Sequence, residues 1–172
     1  AFGVNVSAAC VDTVLMVHGN AASPSAWDKT YNKLIASGWT AKQIVRPSWG
    51  SKYCAACNDH YGSEVDTVRA AVRTAIAGSC TGKIDVIGHS MGVTLAARAL
   101  QLEGKFGSVN SFVGIAGAVR GLNSCGTYPF NVMSTTCGSW GLSKKSKLVE
   151  ALRGVKFGAK AYSIKSYIDE IV

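Results

Sequence analysis

Residues 83–102 read KIDVIGHSMGVTLAARALQL, and this stretch decides the fold. The mostly apolar residues 84–87 are typical of a buried strand, and the apolar residues of 93–102 have helical spacing. Between them stands a G-x-S-x-G pentapeptide, Gly88-His89-Ser90-Met91-Gly92. A strand, this turn and a helix in direct succession form a nucleophile elbow, a turn so tight that glycines flank a serine with an outward hydroxyl. The stretch predicts Ser90 as a nucleophile; the alternative is a glycine-flanked serine that only caps the helix.

A second motif precedes the elbow at Met16-Val17-His18-Gly19-Asn20. An apolar strand that ends in His-Gly is the usual source of the second backbone amide of the oxyanion hole next to such an elbow. We therefore expect the N–H groups of Asn20 and Met91 to face the oxyanion, where each such donor typically contributes ~10²–10³ in rate. His18 is interpreted as scaffolding for the loop, because the base follows the nucleophile in this architecture.

Strand and helix patterns alternate along the rest of the chain. Strands are predicted at residues 11–17, 43–46, 83–89, 109–115 and 159–168. Helices are predicted at residues 26–37, with Ser25 as the cap, and at 63–78, 91–102 and 144–153. Such alternation indicates βαβ units, and hence an α/β fold with a mostly parallel sheet flanked by helices. With 172 residues and no linker, the chain is expected to form a single domain over residues 1–172.

The composition argues against several other classes of protein. A hydrophobic content of 48% with 16% charged residues argues against a disordered chain. The formal net charge is +8, but the basic residues are scattered and no nucleic-acid motif is present, so no nucleic-acid partner is expected. No apolar run approaches the ~20 residues of a membrane span, and no ligand cluster predicts a metal. Since no signal-like stretch opens the sequence, we expect Ala1 to be a mature N-terminus.

Four segments of the sequence together resemble a known family. The segments are residues 14–20, 37–39, 86–91 and 163–172. They are similar to the small secreted bacterial lipases of class 2, the minimal α/β-hydrolases, and the similarity covers nearly the whole chain. The resemblance implies an extracellular protein that hydrolyses esters without a cofactor. It also implies that Asp169 is the catalytic acid, with Glu170 as its only close rival.

The histidine of the expected Ser-His-Asp triad does not appear where the resemblance would place it. The family carries its base beyond the acid, and no histidine follows Asp169 in this sequence. We expect His89 to point away from the serine and His60 to be solvated in its loop. The favoured hypothesis is that the last strand and the histidine loop belong to a C-terminal segment of the same protein that forms a separate chain. The alternative is a catalytically incomplete hydrolase-fold binding protein.

The six cysteines favour three disulfides, for which 15 connectivities exist. Cys125 and Cys137 are expected to close the Gly- and Ser-rich stretch at 117–141. This stretch has an apolar side and forms an acyl-binding wall, a miniature lid or a packed surface loop. Cys10 and Cys80 precede two strands that are parallel neighbours in the hydrolase fold, so these cysteines are expected to pair. Cys54 and Cys57 then pair with each other.

These observations together predict a secreted serine carboxylic-ester hydrolase, a lipase or esterase. It is expected to act through an acyl-enzyme on Ser90, with a lipid or a small ester as its substrate. No metal and no cofactor are expected to take part.

Overall fold

The structure, a computed structural model, describes residues 10–130 and 134–166. Within them, five strands form one sheet in the order β2-β1-β3-β4-β5, and every neighbouring pair is parallel. The strands are β1 (Thr13–Val17), β2 (Ile44–Val45), β3 (Ile84–His89), β4 (Val109–Ile115) and β5 (Lys160–Ile164). All the strands therefore end at the same edge of the sheet, where the loops that carry chemistry are found in α/β proteins.

Four α-helices connect the strands. They are α1 (Asp28–Ala36), α2 (Ser63–Gly78), α3 (Met91–Glu103) and α4 (Lys147–Leu152). None of the helices in the described part of the chain has the length and apolar character needed to cross a membrane.

Both faces of strand β1 are buried, which explains its continuous apolar sequence. Successive side chains of a strand point to opposite faces. Leu15 and Val17 of β1 join the large core that also contains buried residues of α2 and α3. Val14 and Met16 join a smaller core together with Trp27 and Ile44, against which α1 packs. The observed architecture is the predicted α/β-hydrolase type, with helices on both faces of a parallel sheet.

Several element boundaries differ from the prediction, among them the start of α4 at Lys147 rather than at residue 144. The first helix begins as a 3₁₀ segment at Pro24–Trp27, and Ser25 does not cap it. Pro24 is suited to the first turn because it has no N–H to leave unpaired. The second strand contains only Ile44–Val45, and the last strand spans Lys160–Ile164 within the described residues.

Strand β5 forms one edge of the described sheet, and its side chains are exposed. Tyr162 and Ile164 are 53% and 54% exposed, although both are large apolar residues. A cavity of about 210 Å³ lies beside the strand and is lined by side chains that include Val93, Phe112 and Phe157. Exposed strand edges are normally covered in native proteins.

The structure contains three disulfides, and their pairings are those expected from the sequence. Cys10 pairs with Cys80, Cys54 with Cys57, and Cys125 with Cys137. The first joins the segments that lead into β1 and β3, which are neighbours in the sheet. No free cysteine remains among the described residues.

Candidate active site

Ser90 occupies the turn between β3 and α3. Strand β3 ends at His89 and helix α3 begins at Met91, so a single residue reverses the chain direction. Ser90 has φ 52° and ψ −127°, a conformation that non-glycine residues rarely adopt. Its N–H donates to the carbonyl of Ile115, the last residue of β4, over 2.9 Å. Strain of this kind persists only where surrounding contacts determine the backbone, and it is typical of nucleophile elbows.

The two glycines of the elbow permit close backbone packing on either side of Ser90. A Cβ atom on Gly88 would lie 2.8 Å from the Cα of Val93, inside the first turn of α3. A Cβ atom on Gly92 would lie 2.5 Å from the carbonyl oxygen of Val17 and would also collide with that of His18. The N-terminus of α3 therefore packs directly on the end of β1, which only a glycine allows.

This packing brings the two predicted oxyanion segments together. A Cβ atom on Gly19 would lie 3.3 Å from the Cβ of Ser90, so the loop after β1 runs beside the serine. Asn20 is the next residue of this loop. Met91 is the first residue of α3, and its N–H has no acceptor within the helix. The positive end of the helix dipole points at the same place, so the arrangement suits a developing negative charge.

The side chain of Asn20 is bonded at both of its polar ends. Its Nδ2 donates to the carbonyl of Ala55 over 3.0 Å, and its Oδ1 accepts from Nδ2 of Asn58 over 2.6 Å. Ala21, the next residue, has φ 54°, and the N–H of Ala22 closes the turn onto the carbonyl of Gly19. The loop therefore has a strained backbone supported by side-chain bonds.

His18 is a structural residue of this loop. Its Nε2 accepts from the backbone N–H of Trp49 over 3.3 Å, so the proton is on Nδ1, which donates to the carbonyl of Gly19 over 2.8 Å. The ring stacks on that of Trp49 with centroids 5.0 Å apart. Burial lowers the pKa of His18. The imidazole is therefore neutral and both its nitrogens are occupied.

The expectation that His60 is solvated is wrong. His60 is fully buried, and its Nε2 lies 2.8 Å from Oγ1 of Thr94, one helical turn beyond the nucleophile. Because the Thr94 hydroxyl donates to the carbonyl of Met91 over 3.0 Å, it accepts the proton of His60 Nε2. Burial, reinforced by the nearby charge of Arg98, lowers the pKa of His60 to about 3. The hydrogen bond to Thr94 thus places His60 against α3, although the loop sequence around it is polar.

None of the three histidines, all of which lie in the described part of the chain, hydrogen-bonds to Ser90. His18 and His60 have the partners given above, and His89 is exposed with its ring beside Gly19. Asp169 and Glu170, the predicted acid and its rival, lie outside the described residues. No group of three or more potential metal ligands occurs among the residues that the structure describes.

The sequence model of one protein family matches almost the entire chain. Residues 12–172 match the family described as lipase (class 2). The chain belongs to the class 2 lipases. A search of curated protein sequences finds no significant match to this class 2 lipase chain.

Solved structures with the same fold include several lipolytic enzymes. Lipase B of Aspergillus fumigatus is 21% identical, with a TM-score of 0.64 over 92% of this class 2 lipase chain and 38% of its own length. Phospholipase PlaB of Legionella pneumophila is 14% identical, with a TM-score of 0.57 over 88% of this chain and 38% of its own. Lipase BlEst2 of Bacillus licheniformis is 12% identical, with a TM-score of 0.56 over 88% of this chain and 62% of its own. The class 2 lipase chain therefore spans between about one third and two thirds of the length of these structures.

Two residues around the site of this class 2 lipase were missed by sequence reasoning. Asn58 directly follows the Cys54–Cys57 disulfide, and Thr136 lies in the segment closed by Cys125–Cys137. Although the two residues are 78 positions apart in sequence, the Thr136 hydroxyl hydrogen-bonds to the Asn58 carbonyl. The flanks of the 117–141 stretch pack into the main core through residues such as Leu122 and Trp140, while Phe130 is 89% exposed. Nothing in the sequence pairs these segments.

Proposed function

We propose that this chain carries the nucleophile and the oxyanion hole of a secreted serine carboxylic-ester hydrolase. The observation that supports the proposal most strongly is the conformation of Ser90, at φ 52° between β3 and α3 and beside the Gly19-Asn20 loop. A serine that merely caps a helix needs neither this backbone strain nor a second loop packed against it. Membership of the class 2 lipases supports the same function.

In the proposed mechanism, Oγ of Ser90 attacks the ester carbonyl carbon while a general base accepts the hydroxyl proton. The carbonyl oxygen becomes negatively charged, and the N–H groups of Asn20 and Met91 donate to it. Collapse of the tetrahedral intermediate expels the alcohol, which receives the proton, and leaves an acyl-enzyme on Ser90. Water then hydrolyses the acyl-enzyme by the same steps. Asp169 orients the base in this scheme.

We assign the base to a histidine in a further segment of the same protein. The partners of His18 and His60, and the position of His89, argue against the histidines of this chain. The exposed side chains of β5 and the apolar cavity beside it support the docking of another strand there. A strand that paired in parallel with β5 would bring its following loop to the same end of the strands as Ser90.

A lipid or a small ester is the proposed substrate, since the family and the similar structures are lipolytic. Secretion is supported by the three disulfides, which persist in oxidising compartments. The alternative function is a binding protein that has kept the hydrolase scaffold. It is favoured by one observation: the hydroxyl of Ser90 has no histidine partner in the described part of the chain.

Fluorophosphonate labelling followed by intact-protein mass spectrometry tests the proposal. An activated serine gives a single adduct that maps to Ser90 and disappears in S90A, on a species heavier than the 18.0 kDa of this chain. An unlabelled protein of 18.0 kDa, correctly folded by circular dichroism, would favour the binding protein.

A further inference from the structure

We infer that Asn58 and the disulfide turn, defined as residues 54–58, position the oxyanion amide of Asn20. The inference rests on the proposed function, and it assigns a positioning role to residues that lie outside the elbow and outside the loop after β1. It derives from one network of hydrogen bonds that joins Asn20 to the turn.

The disulfide turn contacts Asn20 through two different groups. The carbonyl of Ala55, in the 3₁₀ segment Ala55–Cys57, accepts from Nδ2 of Asn20, and the side chain of Asn58 donates to its Oδ1. An asparagine side chain bonded at both ends cannot rotate without losing both bonds. These bonds therefore restrict the backbone to which the side chain is attached, including the N–H proposed to face the oxyanion.

Asn58 is itself held in one orientation. It is 1% exposed, its Oδ1 accepts from the N–H of Ser51 over 2.7 Å, and its Nδ2 donates to the carbonyl of Ser51 over 3.0 Å as well as to Asn20. Gly50 has φ 66°, and a Cβ atom there would lie 2.7 Å from Asn58 Oδ1. The chain thus makes room for this amide, and every polar atom of the amide is used.

The second disulfide loop supports the turn from its other side. Oγ1 of Thr136 lies 2.7 Å from the carbonyl of Ala55 and 2.6 Å from that of Asn58, and its one proton serves either acceptor. Oγ1 of Thr135 donates to the carbonyl of Ala56 over 2.9 Å. Thr135 and Thr136 belong to the 3₁₀ segment Thr135–Cys137, whose last residue is bonded to Cys125. The disulfide turn therefore packs against a cross-linked neighbour.

The strained loop explains why such support is needed. Ala21 follows Asn20 with φ 54°, a conformation that an alanine leaves when its surroundings permit. An oxyanion donor must lie 2.7–3.1 Å from the developing charge, and a displacement of about 1 Å can reduce the rate ~10²-fold. Relaxation of Ala21 would move the Asn20 amide, and the bonds to Asn58 and Ala55 oppose that movement.

The first test is amide hydrogen exchange measured by NMR in the wild type, N58A and N110A. N58A is expected to raise exchange at Ala22, whose N–H closes the turn onto the carbonyl of Gly19, at least ~10-fold while leaving Leu15 unchanged. N110A is the matched control, because Asn110 also donates a side-chain bond, to Asp12, at the opposite edge of the sheet. Unchanged exchange at Ala22 in N58A would overturn the inference, whether or not the protein is an esterase.

The second test is a double-mutant cycle on hydrolysis of a p-nitrophenyl ester by the complete protein. N58A is expected to lower kcat by about 10- to 100-fold, up to the limit set by loss of one oxyanion donor, with KM changed less than ~3-fold. In the N20A background, N58A is expected to have almost no further effect, because its only route to the reaction is through Asn20. An equal loss in both backgrounds would overturn the positioning role. A wild type that neither hydrolyses the ester nor reacts with fluorophosphonate would refute the proposed function instead, and the exchange experiment would still decide the inference.

Discussion

Replacing His60 by glutamine should weaken the dependence of stability on pH. In the folded chain, His60 is buried and neutral, and its Nδ1 has no partner among the described residues. Protonation would place an N–H without an acceptor near the positive charge of Arg98, and the pKa falls from 6.5 to about 3 as a result. In the unfolded chain the ring is solvated and has its ordinary pKa.

The magnitude follows from proton linkage. Below pH 6.5 the unfolded state binds a proton at His60, whereas the folded state binds it only below about pH 3. The free energy of unfolding therefore falls as the pH falls. One bound proton contributes ~1.36 kcal/mol for each pH unit. Integration from pH 7 to pH 5 gives a loss of about 2 kcal/mol. This result depends little on the folded pKa, because the folded ring is neutral throughout the window.

Urea unfolding at pH 7 and pH 5, followed by tryptophan fluorescence, measures the effect. The wild type is expected to lose about 2 kcal/mol more than H60Q between these values, and the histidines that both proteins share cancel in the difference. T94V is the control, because it removes the hydrogen bond to His60 but retains the burial that is the main cause of the shift. Parallel pH dependences for the wild type and H60Q would refute the reasoning.

Two glycines and two disulfides lead to further predictions. G92A is expected to destabilise the chain by about 3 kcal/mol or more, since its Cβ would meet the carbonyl of Val17. G78A is expected to stabilise the chain by about 0.5 kcal/mol, because residue 78 is helical and its added Cβ would meet nothing within 4 Å. Thermal melts of both variants check the contrast. Removing Cys10–Cys80, which spans 70 residues, is expected to cost about 4 kcal/mol, whereas removing Cys54–Cys57, which spans three, costs about 1.5 kcal/mol. In ester hydrolysis, removing Cys54–Cys57 is expected to lower kcat more than removing Cys10–Cys80, the reverse of their order in stability. Equal losses of kcat would count against the role of the disulfide turn.

The sequence predicted the elements that depend on local pattern. Strand β4 and helix α2 were predicted with the bounds that the structure shows, because their apolar periodicity and their neighbouring polar residues agree. The elbow was identified from Gly88 and Gly92, because glycines on both sides of a serine between a strand and a helix permit a tight turn. The proximity of the Gly19 loop to Ser90 was inferred from its motif, and the structure places the two side by side.

Tertiary structure alone decided the environment of the polar residues. His60 lies among Asn, Asp and Gly residues in the sequence, yet it is buried and hydrogen-bonds to Thr94 of α3. Asn58 reaches Asn20 across 38 residues, and Thr136 reaches the same turn across 78. Local sequence determines backbone preference and apolar faces over a few residues. The solvation and the hydrogen-bond partners of a side chain depend instead on which distant segments the sheet and the disulfides bring beside it.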